Sequence, residues 1–280
     1  QMCIRDSHWG RPGLPGSNAV QGKRRVTAVI ENTAQGGRRR PGISIVIPAY
    51  NESDYLGDTL AAVGEAAAIY AGPVEIIVVD NNSTDDTAKI AAAGGAVVVF
   101  EGKNQIARAR NAGAAAATGD CLVFVDADTR LEGDILNKVA GNLAAGAIGG
   151  GAWVEPDLKG PSRFLLKYLV NFVLMLDNVT VGPFLYCERE AFLRTGGFDE
   201  EFYAAEEFVL AKQMQAEGRR LNRPWKIIRH DKAHRVVTSG RRLGRWGGLE
   251  MAFRNAHLLW KSGKKLRQKD QCSYWYGARG

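Results

Sequence analysis

Long apolar runs are missing from these 280 residues. A bilayer-spanning helix needs about 20 consecutive apolar residues. The longest candidate, residues 164–176, is shorter and is interrupted by Lys167 and Asn171, so no spanning helix is expected. Cysteine is scarce too. Cys3, Cys121, Cys187 and Cys272 lie far apart, without the paired spacing of a zinc site or a dithiol motif. A reduced, cytoplasmic setting is the simplest expectation. The first residues carry no apolar core segment, and none of the features of a secretory signal is present. Met2 to Ser7 (MCIRDS) reads as translated adaptor sequence and is set aside from the fold. Neither a G-x-G-x-x-G after the first apolar run nor a G-x-x-x-x-G-K-[ST] occurs, so dinucleotide and P-loop readings fail.

Acidic residues are sparse toward both ends. Residues 1–40 carry 8 basic and 2 acidic side chains, residues 219–280 carry 17 and 3, and the middle carries 12 and 25. Basic flanks can meet nucleic acid, anionic lipid or a phosphorylated ligand. The acidic body offers no continuous basic face, which argues against nucleic acid. At 45% hydrophobic residues the chain can bury one sizeable core.

What is present alternates between strand and helix signals. Residues 43–48 (ISIVIP) read as a first strand stopped by its proline, followed by a turn in which Asn51 or Ser53 caps a helix to about Tyr70. Residues 74–79 form a second strand ending in Asp80-Asn81-Asn82-Ser83, with an alanine-rich helix over roughly 84–93. A third strand over 96–100, a helix bearing Arg110 and Asn111, and a fourth strand from Cys121 to Val125 complete the pattern. Further on, a helix is expected over 131–145, a glycine-opened strand over 149–154, a helix over 164–176, a strand over 182–187 and a helix from Ala204. Such alternation implies βαβ units and a mostly parallel sheet flanked by helices. Residues 1–41 read as a flexible lead-in, 42–235 as one catalytic domain, and 236–280 as a basic, aromatic extension.

The fourth strand ends in Asp126-Ala127-Asp128. Alternate residues of a strand share a face, so continued extension would aim both carboxylates the same way, suited to a hard cation and its phosphates. Tyr50-Asn51-Glu52 and Asp80–Ser83 end the first two strands. In open α/β sheets ligands bind at these carboxyl ends, and three polar clusters on one edge fit a nucleotide. Arg110 offers a forked donor to phosphate or sugar oxygens.

ISIVIPAYNE (43–52), IIVVDNNSTDDT (76–87), ARNAGAAAATGD (109–120), FVDADT (124–129) and GGFDE (196–200) resemble, in order, the motifs of the family 2 glycosyltransferases. The resemblance implies a Rossmann-like fold called GT-A, a nucleotide-diphosphate-sugar donor, Mg2+ or Mn2+, and inversion at the anomeric carbon. It places Pro48, Tyr50, Glu52, Asp80 and Ser83 around the nucleoside, with Arg110 and Asn111 flanking the base or donor. Asp126 would reach the ribose or the metal, and Asp128 would ligate the metal.

Family members usually carry Glu-Asp after the GGFDE turn, with the second acid as catalytic base, and here Glu206-Glu207 stands instead. Matching positions makes Glu207 the catalytic base and Glu206 an acceptor or supporting contact. Neighbours on a helix are about 100° apart and should not both face the cleft, and the helix N-terminus favours the ionised form. In the basic tail, His234 is a candidate third metal ligand, and Arg241 and Arg242 suit a diphosphate. Residues 246–260 show apolar residues at helical spacing with basic neighbours, consistent with peripheral contact on the inner membrane face or with packing on the body. Many such transferases use lipid-linked acceptors. The donor would be UDP- or GDP-linked and the acceptor a lipid or polysaccharide precursor. Alternatives are a sugar nucleotidyltransferase, which usually shows a Gly-rich loop after the first strand, and a non-catalytic nucleotide-sugar binder.

Overall fold

The computed structural model describes residues 40–157, 182–229, 233–241 and 267–268. Strand β1 (Ile43–Ala49) is buried at every position, as its unbroken apolar sequence requires of a strand covered on both faces. Strands β2 (Val74–Asp80) and β4 (Cys121–Val125) flank it in parallel, and β3 (Val97–Phe100) lies beyond β2. The sheet continues through β8 (Phe184–Glu188), β6 (Gly149–Ala152) and β9 (Trp225–Ile228), in the order β3-β2-β1-β4-β8-β6-β9. Strand β8 alone runs against its neighbours. A second sheet, β5-β10-β7, joins β5 (Thr129–Gly133), β10 (His234–Ser239) and β7 (Val154–Asp157).

Alternating residues of the central strands face two cores. Ile43, Ile45, Ile47 and Val123 pack with Leu56, Leu60 and Val63 of α1 (Leu56–Ile69) and with Leu136 and Val139 of α4 (Ile135–Ala144). Helix α2 (Thr87–Ala93) covers the same side through Ala91. On the opposite face Val46, Leu122 and Phe124 pack against α3 (Ile106–Ala116), α5 (Arg189–Arg194) and α6 (Glu206–Arg220). Helix α3 lies very close to the sheet. A Cβ built on Gly113 would stand 2.3 Å from Cγ1 of Val46, so glycine is what lets the helix approach.

Several expectations need correction. Pro48 does not end β1, which runs on to Ala49 and stays paired with β2. Pairing with β4 stops at Val46, so the missing proline N–H falls beyond the ladder on that side. The helix expected over 131–145 starts at Ile135, because Thr129 and Leu131 turn inward as part of β5. The strand expected over 149–154 divides at Trp153, whose N–H donates to the Ile228 carbonyl, and its two halves join different sheets. The helix read from Ala204 begins at Glu206. Strands β9 and β10 were not expected, and the domain boundary at 235 falls inside β10. Residues 164–176, Arg242 and residues 246–260 lie outside the described residues.

Candidate active site

Parallel pairing brings the carboxyl ends of β1, β2 and β4 to one edge, and hydrogen bonds tie their turns together. Asn51 adopts a left-handed conformation (φ 50°), which asparagine tolerates better than most residues. Its N–H donates to Ser83 Oγ at 3.0 Å, and its Oδ1 accepts from the Thr84 N–H at 2.8 Å. Asp80 accepts from the Ser83 N–H at 2.9 Å, and the Glu52 N–H donates to Thr87 Oγ1 at 2.8 Å. Tyr50 and Ser83 are half-buried beside these turns, whereas Pro48 is buried within β1 and presents no ring to a ligand.

Asp126 and Asp128 do not act as a pair. Extended geometry stops at Val125, and a turn closes when the Thr129 N–H donates to the Asp126 carbonyl at 3.1 Å. Ala127 stays buried, its carbonyl accepting from Thr59 Oγ1 at 2.8 Å. The two carboxylates then meet different cations. Asp126 accepts from Arg110 Nη2 at 2.9 Å, and Asp128 lies 3.0 Å from Arg241 Nε. Arg241 also donates to Glu52 at 2.8 Å and stacks 4.5 Å from the Tyr55 ring centroid.

Asp128 lines a cavity of about 360 Å³ together with Asp54, Tyr55, Asp58, Asp157 and Arg241. Sequence reasoning missed Tyr55 and Asp58. Their signal was position, since α1 begins a few residues past the first strand tip. Mg2+ usually relies on one or two protein carboxylates and completes its shell with phosphates and water. Asp128 suits that role. Among the described residues no three His, Cys, Asp or Glu side chains gather for a metal, so a cation here would depend on its ligand's phosphates. His234 is not at this site. Its strand reaches Asp128 through the Ser239 N–H, which leaves His234 five residues back, roughly 16 Å away at strand rise. There it is buried against Asp134, with Nδ1 3.3 Å from Oδ1, and its Nε2 lies 3.2 Å from the Arg229 carbonyl.

Arg110 is buried and gathers three carboxylates. Besides Asp126, its Nη1 lies 2.5 Å from Glu206 and 3.0 Å from Glu207. It therefore reaches no open donor surface, contrary to the sequence expectation, but joins the turn after β4 to the start of α6. Both glutamates meet one nitrogen, despite their angular separation on the helix. Ala205, just ahead of them, is left-handed (φ 61°), and both side chains lie in the first turn, on stems long enough to converge. Burial, then the charge of Glu207, pushes the Glu206 carboxyl up to about 8. The helix N-terminus does not offset this. Glu207 is the more exposed (14% against 2%).

Asn111 is also placed differently from expectation. Its amide donates to the Phe198 carbonyl at 2.9 Å and its Oδ1 accepts from the Phe198 N–H at 2.9 Å, clamping the GGFDE turn. Asn81 holds the loop after β3 by donating to the carbonyls of Glu101 and Lys103.

A mostly parallel sheet with polar strand tips, a small second sheet beside it and an acidic turn after β4 define a GT-A transferase fold. Residues 44–191, just over half of the chain, match the glycosyl transferase family 2 model, and the chain belongs to that family. The match includes Asp80, Arg110 and Asp128 but not Glu207 or Arg241. Among solved structures, S. aureus TarS 1-349 in complex with UDP-GlcNAc is similar at 20% identity, with a TM-score of 0.53, covering 71% of this chain and 58% of that one. The mannosyltransferase PcManGT from Pyrobaculum calidifontis, in complex with GDP-Man and Mn2+, is similar at 22% identity and a TM-score of 0.52, covering 78% and 64%. The chain thus spans less than two thirds of either neighbour. No curated protein matches it.

Proposed function

We propose that the chain is an inverting, metal-dependent glycosyltransferase moving a sugar from a nucleotide-diphosphate donor to an acceptor hydroxyl. The observation that carries this reading is the Arg110 bridge, which sets two glutamates one guanidinium away from the acidic turn after β4. Asp80, fixed by the Ser83 N–H, accepts from a base N–H or a ribose hydroxyl, and Asp126 borders the ribose. Asp128 would hold Mg2+ or Mn2+, which when bound neutralises charge on the diphosphate. Glu207 takes the proton from the acceptor hydroxyl. The acceptor oxygen bonds to the anomeric carbon as the bond to the diphosphate breaks, and the diphosphate leaves with the electron pair.

The ligands named for TarS and PcManGT support a nucleotide-sugar donor and, for the second, a divalent cation. A lipid-linked or polysaccharide acceptor, met at the inner membrane face, completes the proposal, and co-sedimentation with anionic vesicles tests that part. A thermal-shift panel of UDP- and GDP-linked sugars, with and without Mn2+, tests the donor, since stabilisation follows ligand concentration over affinity. Mn2+-dependent stabilisation by one nucleotide class is expected. No stabilisation by any nucleotide sugar would sink the reading.

A further inference from the structure

Arg241 places a positive charge where a donor-bound cation would have to act. Its Nη2 lies 2.8 Å from Glu52 Oε1 and its Nε 3.0 Å from Asp128 Oδ2, so one guanidinium spans carboxylates delivered by the tips of β1 and β4. These acid side chains are 5% and 9% exposed, and at that burial two such charges repel strongly without a cation between them. Tyr55 supports the guanidinium from below. The backbone is anchored separately. The Arg241 N–H donates to Ser239 Oγ at 3.2 Å, and the Ser239 N–H donates to the Asp128 carbonyl at 3.0 Å. The long side chain can therefore change partners while its Cα stays in place.

A divalent ion on Asp128 would sit about 2.0–2.1 Å from a carboxylate oxygen if it is Mg2+. A guanidinium hydrogen-bonded to that same carboxylate would then face it across a few ångströms, and the two cations repel. We propose that Arg241 is the resident counter-ion of the donor site, competing with the divalent cation for Asp128 and released when a diphosphate offers the guanidinium a new partner. This rests on the reading of Asp128 as the cation ligand of a nucleotide-diphosphate site. Phosphate suits the forked guanidinium as well as carboxylate does, so the exchange gives both the guanidinium and Asp128 a new partner. The consequence is ordered loading, in which metal binds poorly alone and well with nucleotide.

The test is titration of Mn2+ into the full chain, with free Mn2+ read by electron paramagnetic resonance, with and without UDP or GDP. Wild type should bind Mn2+ weakly alone and more tightly with nucleotide. Arg241→Gln should bind Mn2+ alone roughly tenfold more tightly, within the usual range of coupling between competing ligands, and nucleotide should add less. Arg241→Lys, which keeps the charge, should stay near wild type for Mn2+ alone. Should Arg241→Gln fail to fold, Tyr55→Ala removes the supporting ring and leaves all three charges, and it should shift Mn2+ affinity the same way by a smaller factor. Mn2+ binding to the folded Arg241→Gln no tighter than wild type, or an unshifted Tyr55→Ala where Arg241→Gln does not fold, overturns the inference. Asp128→Asn separates the two levels. If it leaves Mn2+ binding intact, or if no variant binds Mn2+ under any condition, the reading of Asp128 itself falls.

Discussion

The Arg110 guanidinium and the Glu206 carboxylate meet at 2.5 Å with both side chains 2% exposed. Asp126 and Glu207 share the same guanidinium, so three acids face one cation in a buried place. Glu206, with its carboxyl raised from 4.5 to about 8, binds a proton more tightly in the folded than in the unfolded chain. Stability should therefore be greatest below the unfolded value and should fall as pH rises from about 4.5 to about 8. Glu206→Gln imitates the protonated form and should flatten that decline. Urea unfolding at pH 5 and pH 8 measures it, and an equal or steeper decline in the variant would contradict the assignment.

Glu207→Gln should lower transfer by about 10²- to 10⁴-fold, the usual worth of a general base, while nucleotide affinity holds. If Glu206→Gln produced that loss and Glu207→Gln did not, the base would be Glu206.

Asp128→Asn should remove Mn2+-dependent donor binding and with it turnover. Steady-state transfer across a range of Mg2+ and Mn2+ concentrations gives the answer, and undiminished activity would refute the role.

Asn111→Ala removes both hydrogen bonds on the Phe198 backbone. A cost of about 1–3 kcal/mol follows from the groups left unpaired, measurable by urea denaturation. Because the GGFDE turn leads toward Glu207, transfer should fall more than nucleotide binding does.

Gly113→Ala should destabilise even though alanine favours helix by about 1 kcal/mol. The added methyl meets Val46 and Val79 at 2.3 and 2.9 Å, and such overpacking costs about 1–3 kcal/mol. Combining it with Val46→Ala should recover part of the loss, as a double-mutant cycle will show.

The parallel half of the sheet was legible because β1, β2 and β4 are continuous apolar runs ended by polar turns, and this pattern also pointed to Asp80, Glu52 and Asp128. Strand β5 was not legible, since Leu131 sits between Arg130 and Glu132 and its alternation is too short to stand out. Strand β10 lay hidden in a basic stretch, although Val236 and Val237 are buried. Side-chain roles were harder to read than strands. Arg110 and Asn111 sit in one motif and look like ligand contacts. Yet the first neutralises acids beneath the surface and the second clamps a turn, and both depend on partners about 90 residues away.

The reversal of the chain between Asp126 and Thr129 assigns two near-neighbour acids to two independent arginines. Under the proposed function, grip on the donor's phosphates and activation of the acceptor would rest on separate charges, Arg241 for one and Arg110 for the other. Substitutions around Arg241 would then change how the diphosphate is held without touching the contacts that Glu206 and Glu207 make with Arg110, so the two halves of the site could diverge separately.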